Sequence, residues 1–193
     1  MTIEVEGSPA NVAAFIGGLE RDPPQLAQIV EVTISELATV GGIGFVIRES
    51  REEPGEFSLV PPDAGTCDHC WQDFGDPSNR RFGYPFTNCT LCGPRYTIIY
   101  DIPYDRPKTT MSAFTMCASC LAEYEDPLDR RFHAQPNACA VCGPSLCLLP
   151  GGSSPADCSF SEKAAFTAIH KARQLLHEGN ILAVKGLGGF LLA

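Results

Sequence analysis

The chain has 193 residues, 44% of them hydrophobic, and a formal net charge of −9. That balance excludes disorder throughout, and it excludes a general nucleic-acid grip, which depends on surplus cations neutralising phosphates. The length allows one large domain or two small ones, and no apolar run is long enough to span a membrane.

Residues 1–6 alternate apolar and acidic side chains after the first pair, the pattern of a half-exposed strand. Gly7 interrupts it, and Ser8-Pro9 then supplies an N-cap and a first helical residue. Val12, Phe15, Ile16 and Leu19 make one apolar stripe at helical spacing, and Arg21-Asp22-Pro23-Pro24 ends the helix. Residues 29–34 and 44–48 read as two more strands. Together these make a strand–helix–strand–strand unit over residues 1–50, too small to close a convincing core alone. A strand at the first residue also suggests that sequence upstream is missing. Residues 51–66, with Pro54, Gly55 and Pro61-Pro62, have the composition of a linker.

Two cysteine cassettes follow, over residues 67–147. The first has Cys67 and Cys70, eighteen intervening residues, then Cys89 and Cys92; the second repeats the spacing with Cys117, Cys120, Cys139 and Cys142. Aligning residues 67–94 on 117–144 leaves eleven identities, so the region is an internal repeat. The shared residues are the four cysteines, Asp76/Asp126, Pro77/Pro127, Arg80-Arg81-Phe82 against Arg130-Arg131-Phe132, and Gly93-Pro94 against Gly143-Pro144. Four thiolates in two Cys-x-x-Cys knuckles suit a tetrahedral Zn²⁺ better than disulfides or an iron–sulfur cluster. Eight cysteines fill two structural sites and leave no open position for a catalytic water. Consecutive pairing puts one zinc in each cassette, and an interleaved pairing of outer and inner knuckles fits the same sequence. His69 and His133 are read as bystanders because the thiolate count is already complete. The regular spacing, with no secretion signal at the start, predicts reduced thiols and a cytoplasmic location.

Each four-thiolate zinc site adds two negative charges, so Arg80-Arg81 and Arg130-Arg131 are expected to offset that charge and to pair with Asp76 or Asp126. The competing reading gives them to RNA or a phosphorylated substrate. Cys147 and Cys158 fall outside the cassettes and are expected as ordinary thiols. Residues 148–160 read as a second linker around Pro150-Gly151-Gly152. Ser159 and Glu162 then form a capping box for a helix over residues 161–178, with Ala165, Ile169, Ala172 and Leu176 on one face. A buried strand from Ile181 leads into Lys185-Gly186-Leu187-Gly188-Gly189-Phe190. Such a turn can bring backbone N–H groups and a lysine to a phosphate, or simply end a strand. An apolar finish predicts a chain cut from a longer one.

The doubled cassette spacing, with Arg130-Arg131-Phe132-His133-Ala134-Gln135 and Cys142-Gly143-Pro144, resembles the HypF family of hydrogenase maturation carbamoyltransferases. The likeness covers the whole chain and implies an α+β architecture in three parts. Residues 1–50 resemble the C-terminal half of an acylphosphatase-like domain, a partial ferredoxin-like α/β unit. Residues 67–147 resemble tandem HypF-type zinc fingers with four cysteine ligands each, and residues 161–193 the first helix and strand of a YrdC-like α/β domain. By the same resemblance, the parent enzyme uses carbamoyl phosphate and ATP to carbamoylate the C-terminal cysteine of a HypE partner, for cyanide-ligand synthesis. Lys185 would lie on the nucleotide side. No catalytic residue carries over, since the family's acylphosphatase arginine and asparagine precede this chain's first residue. The segment is then expected to be a zinc scaffold with little turnover of its own. The alternative is a zinc-ribbon module that binds a protein or RNA without catalysis; a chaperone-like cysteine-rich domain fits the eighteen-residue gaps poorly.

Overall fold

The computed structural model describes residues 2–27, 29–48, 60–158, 162–186 and 189–193, and the chain divides into two units, Met1–Arg51 and Glu52–Ala193. The expected linker residues 51–59, Ser159 of the expected capping box, and Leu187-Gly188 of the glycine-rich turn lie outside the described residues.

In the first unit the predicted helix forms as α1 (Pro9–Arg21). Ser8 Oγ accepts the Asn11 N–H at 3.3 Å, and proline occupies the first turn, where its missing N–H leaves nothing unpaired. The three predicted strands do not form: residues 2–6, 29–34 and 44–48 carry no ladder among the described residues. What crosses between them is side-chain chemistry. The Glu6 carboxylate accepts the N–H groups of Val40, Gly41 and Gly42 at 2.7, 3.0 and 3.2 Å, which hold its pKa below the usual value against the opposing effect of burial. A small sheet needs an apolar layer across one face. Here α1 buries no residue, and Val30 and Ile43 are 98% and 96% exposed. The alternating pattern is present without a second layer to cover it.

The second unit is organised by the repeat. Cys67 and Cys117 are extended N-cap residues, followed by two-turn helices α2 (Asp68–Gly75) and α3 (Ala118–Glu125). Both helices stop at an aspartate before proline, Asp76 and Asp126, because the proline ring drives the preceding residue out of the helical region. Each aspartate then closes a turn, accepting Ser78 N–H or Leu128 N–H at 2.9 Å. The returning chain bonds back to its helix through Gly83 N–H to Phe74 O and His133 N–H to Tyr124 O, at 2.9 and 3.0 Å. These equivalent positions both have positive φ, 66° and 50°. Three single-turn 3₁₀ segments between the fingers deliver Ile98 and Met111 to a small core with Tyr84 and Ala138, bordered by Phe86, Tyr104 and Phe114.

Helix α4 (Glu162–His177) forms as expected and sets Phe166 beside Phe82, with ring centroids 6.0 Å apart, over Gly83. Cys147 and Cys158, expected as separate thiols, are joined by a disulfide. The intervening Pro150-Gly151-Gly152 turn folds the chain back until their Cα atoms are 5.9 Å apart, within bonding reach. The strand expected to be buried is instead an exposed hairpin: β1 (Ala183–Lys185) pairs antiparallel with β2 (Phe190–Leu192), with Val184 opposite Leu191. No facing layer covers it among the described residues, so its apolar side chains stay in solvent.

Candidate metal centre

Each finger gathers its own cysteines. Cys67, Cys70, Cys89 and Cys92 form one cluster and Cys117, Cys120, Cys139 and Cys142 the other, with the sulfurs of each within 4.8 Å of one another. This is the consecutive grouping, not the interleaved one. The N-cap position presents the first cysteine of each knuckle pair at a helix start, and the second lies in the first turn, fully buried at Cys70 and Cys120. A tight turn returns the second knuckle, with Cys92 N–H donating to Cys89 O at 3.3 Å and Cys142 N–H to Cys139 O at 3.1 Å.

The glycines after those knuckles serve different ends. Gly93 has φ 98°, a conformation that side chains rarely adopt. Gly143 does not, and a Cβ there would run into Tyr84 Oη and Ala138 Cβ. Gly93 supplies both a turn and space, since a Cβ there would meet Asn88 Cβ at 2.7 Å, whereas Gly143 supplies space alone.

Four sulfurs on a tetrahedron with Zn–S bonds of about 2.3 Å stand about 3.8 Å apart. In the first cluster the separations are 3.7 Å (Cys67–Cys89), 3.8 Å (Cys89–Cys92) and 3.5 Å (Cys70–Cys92). The second has 3.8, 3.8 and 3.6 Å for Cys117–Cys139, Cys139–Cys142 and Cys120–Cys142. These are far too long for disulfides, and all eight cysteines are unbridged. Thiols this crowded cannot all ionise without a cation: Cys89 and Cys92 push Cys70 up, and burial pushes Cys120 up to about 12. The donor set therefore fits a divalent, thiophilic ion in each finger. His69 is exposed and His133 stacks on Tyr124 at 4.8 Å, and neither belongs to a cluster.

The arginines reach across the repeat. Arg80 and Arg81 of the first finger both pair with Glu123 on α3, at 2.5 and 2.6 Å, while Arg130 and Arg131 of the second pair with Asp73 on α2. Asp76 and Asp126, the acids expected as partners, are occupied in their turns. Helix geometry explains the difference: the true partners sit three residues after Cys70 and Cys120, on the same helical face as the thiol. Arg81 is 1% exposed and also donates to Ala138 O and Asn137 Oδ1, both at 2.9 Å; Arg131, 5% exposed, donates to Asn88 O at 3.1 Å. Guanidinium groups also reach the buried sulfurs, with Arg130 Nη1 at 3.0 Å from Cys70 Sγ and Arg80 Nη2 at 3.3 Å from Cys120 Sγ. Burial alone would raise the Glu123 pKa, but the Arg81 and Arg80 bonds outweigh it and hold it at about 2.

Sequence reasoning missed Arg106. It lies between the repeats and donates to Gln135 O, Asn137 O and Phe114 O at 2.6, 2.9 and 2.7 Å, tying the connecting segment to the second finger. No repeat or spacing marks it, because its partners are backbone carbonyls. Lys185 stands apart from both clusters: its Nζ donates to Gly186 O at 2.9 Å and lies 5.5 Å from the centroid of the Phe190 ring.

Comparison with known proteins agrees with this geometry. The HypF finger family matches residues 66–99 and 116–149, the two cysteine clusters. Carbamoyltransferase HypF2 of Cupriavidus necator is 47% identical over 193 residues, covering 99% of this chain and 23% of the relative. The probable carbamoyltransferase HypF of Methanocaldococcus jannaschii is 42% identical, with 99% and 24% covered. A full-length HypF crystallised in its phosphate- and nucleotide-bound form superposes with a TM-score of 0.82 at 45% identity, over 96% of this chain and 23% of that one. HypF of T. kodakarensis gives 0.72 at 39% identity, over 97% and 22%. The chain thus spans about a quarter of the length of the relatives it matches, and no described helix is long and apolar enough to cross a membrane. With its paired clusters and matching finger residues, the chain carries two HypF fingers, and 99% of it is similar to about a quarter of a HypF carbamoyltransferase.

Proposed function

We propose that this chain is the scaffold portion of a HypF carbamoyltransferase, holding two structural Zn²⁺ ions. Cys67, Cys70, Cys89 and Cys92 would ligate one ion, and Cys117, Cys120, Cys139 and Cys142 the other. The observation that carries the reading is the sulfur spacing of 3.5–3.8 Å in two closed four-thiol sets. When bound, each zinc supplies fold stability rather than chemistry, since four protein ligands leave it no place for water or substrate. The chain's own residues shape the sites: helix N-termini present the thiols, and cross-finger guanidinium groups offset the thiolate charge.

Residues 1–50 would belong to an acylphosphatase-like domain, 51–66 and 148–160 to linkers, and 161–193 to the start of a YrdC-like domain, with Lys185 on its nucleotide side. The parent enzyme would take carbamoyl phosphate and ATP as substrates and carbamoylate the C-terminal cysteine of a HypE-type partner in the cytoplasm. Support comes from the carbamoyltransferase relatives and from the phosphate and nucleotide bound to the similar full-length HypF. A zinc-ribbon that grips RNA is disfavoured because Arg80, Arg81, Arg130 and Arg131 are all engaged within the protein.

Elemental analysis of the purified chain tests the core of this reading. Two zinc per chain is the expected result; one or none overturns it. A carbamoyl-phosphate hydrolysis assay tests the rest: turnover near background is expected, and robust turnover that survives Lys185→Ala would refute the scaffold assignment.

A further inference from the structure

We propose that the two metal sites are braced in trans: the arginine pair of each finger stabilises the site of the other. The inference rests on the zinc reading above and adds to it. Within each repeat, the Arg-Arg step lies between the two knuckles and could serve its own cluster. Instead, every ion pair and sulfur contact it makes crosses to the opposite finger.

At the second site, Arg80 donates through Nη1 and Nη2 to Cys120 Sγ at 3.4 and 3.3 Å, and Arg81 Nη2 lies 3.6 Å from the same sulfur. Both guanidinium groups grip Glu123, which sits on the helix that carries Cys120. Arg81 also bonds Ala138 O, the carbonyl just before Cys139. One side chain from the first finger therefore ties the first knuckle of the second site to its second knuckle.

The first site is braced in the same way. Arg130 Nη1 donates to Cys70 Sγ at 3.0 Å, and Arg130 and Arg131 both hold Asp73. Arg131 also bonds Asn88 O, the carbonyl just before Cys89. Each partner atom lies fifty positions from its counterpart, so the contact is the two-fold exchange of a symmetric dimer made within one chain. An N–H donated to a thiolate sulfur spreads the charge that four sulfurs concentrate on one ion. Such outer contacts orient metal ligands and raise affinity by roughly 10–100-fold. Here that contribution is supplied by the finger that does not bind the ion.

The test uses the zinc-loaded 193-residue chain, challenged with EDTA and pulsed with N-ethylmaleimide, with labelled cysteines located by peptide mass mapping. Arg80→Gln should speed labelling of Cys117, Cys120, Cys139 and Cys142 by about tenfold while the first cluster keeps its wild-type rate. Arg130→Gln should do the reverse. Should either glutamine variant fail to load metal, Arg80→Lys and Arg130→Lys, which keep the charge and lose the fork, are read by the same pattern. Faster labelling of the finger that carries the substitution, equal acceleration of both clusters, or no change overturns the proposal. Failure of the zinc reading itself looks different: the wild-type protein would contain no metal, and EDTA would not alter its labelling.

Discussion

The first unit and the finger module use opposite means of holding a chain together. The first unit carries the sequence patterns of strands and an amphipathic helix, yet its described residues bury no side chain completely, and Val30, Val40 and Ile43 lie in solvent. The fingers bury Arg81, Arg95, Arg131 and Asn137 beside the cysteines. An apolar pattern contributes stability only when a second layer removes it from water. A polar network contributes when every charge finds a partner and the pieces are fixed in place, and here two ions would fix them. Among the described residues, burial gathers around the ligands, the salt bridges and the one small apolar core between the fingers.

That contrast can be broken most severely by removing metal. Chelation should unfold residues 67–147 while α1 keeps its helical amide signals, because structural zinc contributes about 10–16 kcal/mol in small Cys-rich modules. Hydrogen exchange resolved by peptide measures it, and protection in the fingers that survives full metal removal would contradict the expectation.

A smaller effect isolates the salt-bridge part of the network. Glu123 has its pKa lowered from 4.5 to about 2: burial opposes the shift, and the Arg81 and Arg80 bonds overcome it. A folded value below the unfolded one means that the stabilisation is complete above about pH 4.5 and is lost as pH falls towards 2. The side chain is 19% exposed, and the contribution is on the order of 2–3 kcal/mol. Urea titrations should therefore show Glu123→Gln well below wild type at about pH 6, with the gap closing between about pH 4.5 and 3. A gap that stays constant over that range would show that ionisation of Glu123 does not matter.

The smallest expected effect lies in the first unit. Ser8→Ala removes the side-chain cap of α1 and should cost about 1 kcal/mol of helix stability there. Amide chemical shifts of residues 9–21 would report fraying of the first turn, while the cysteine clusters keep their metal.

Local features were legible because local rules govern them. Ser8-Pro9 announced α1, and the knuckle spacing picked out all eight clustered cysteines. Partners distant in sequence were not. Arg80 and Arg81 are four and five residues from Asp76, yet their acid is Glu123, more than forty residues away. Cys147 and Cys158 gave no sign of a bond, since only the turn between them sets their separation. The predicted strands failed for the complementary reason: alternation marks a face, and a ladder also needs a neighbour.

By itself, the sequence determined which cysteines gather, the duplication and the start of α1, because each follows from residue types at short, regular spacing. Tertiary structure alone decided that the fingers exchange their arginines. Two copies of one motif can satisfy charge internally or reciprocally with the same residues. The choice depends on which acid lies on the helical face beside the buried thiol once both copies are packed together.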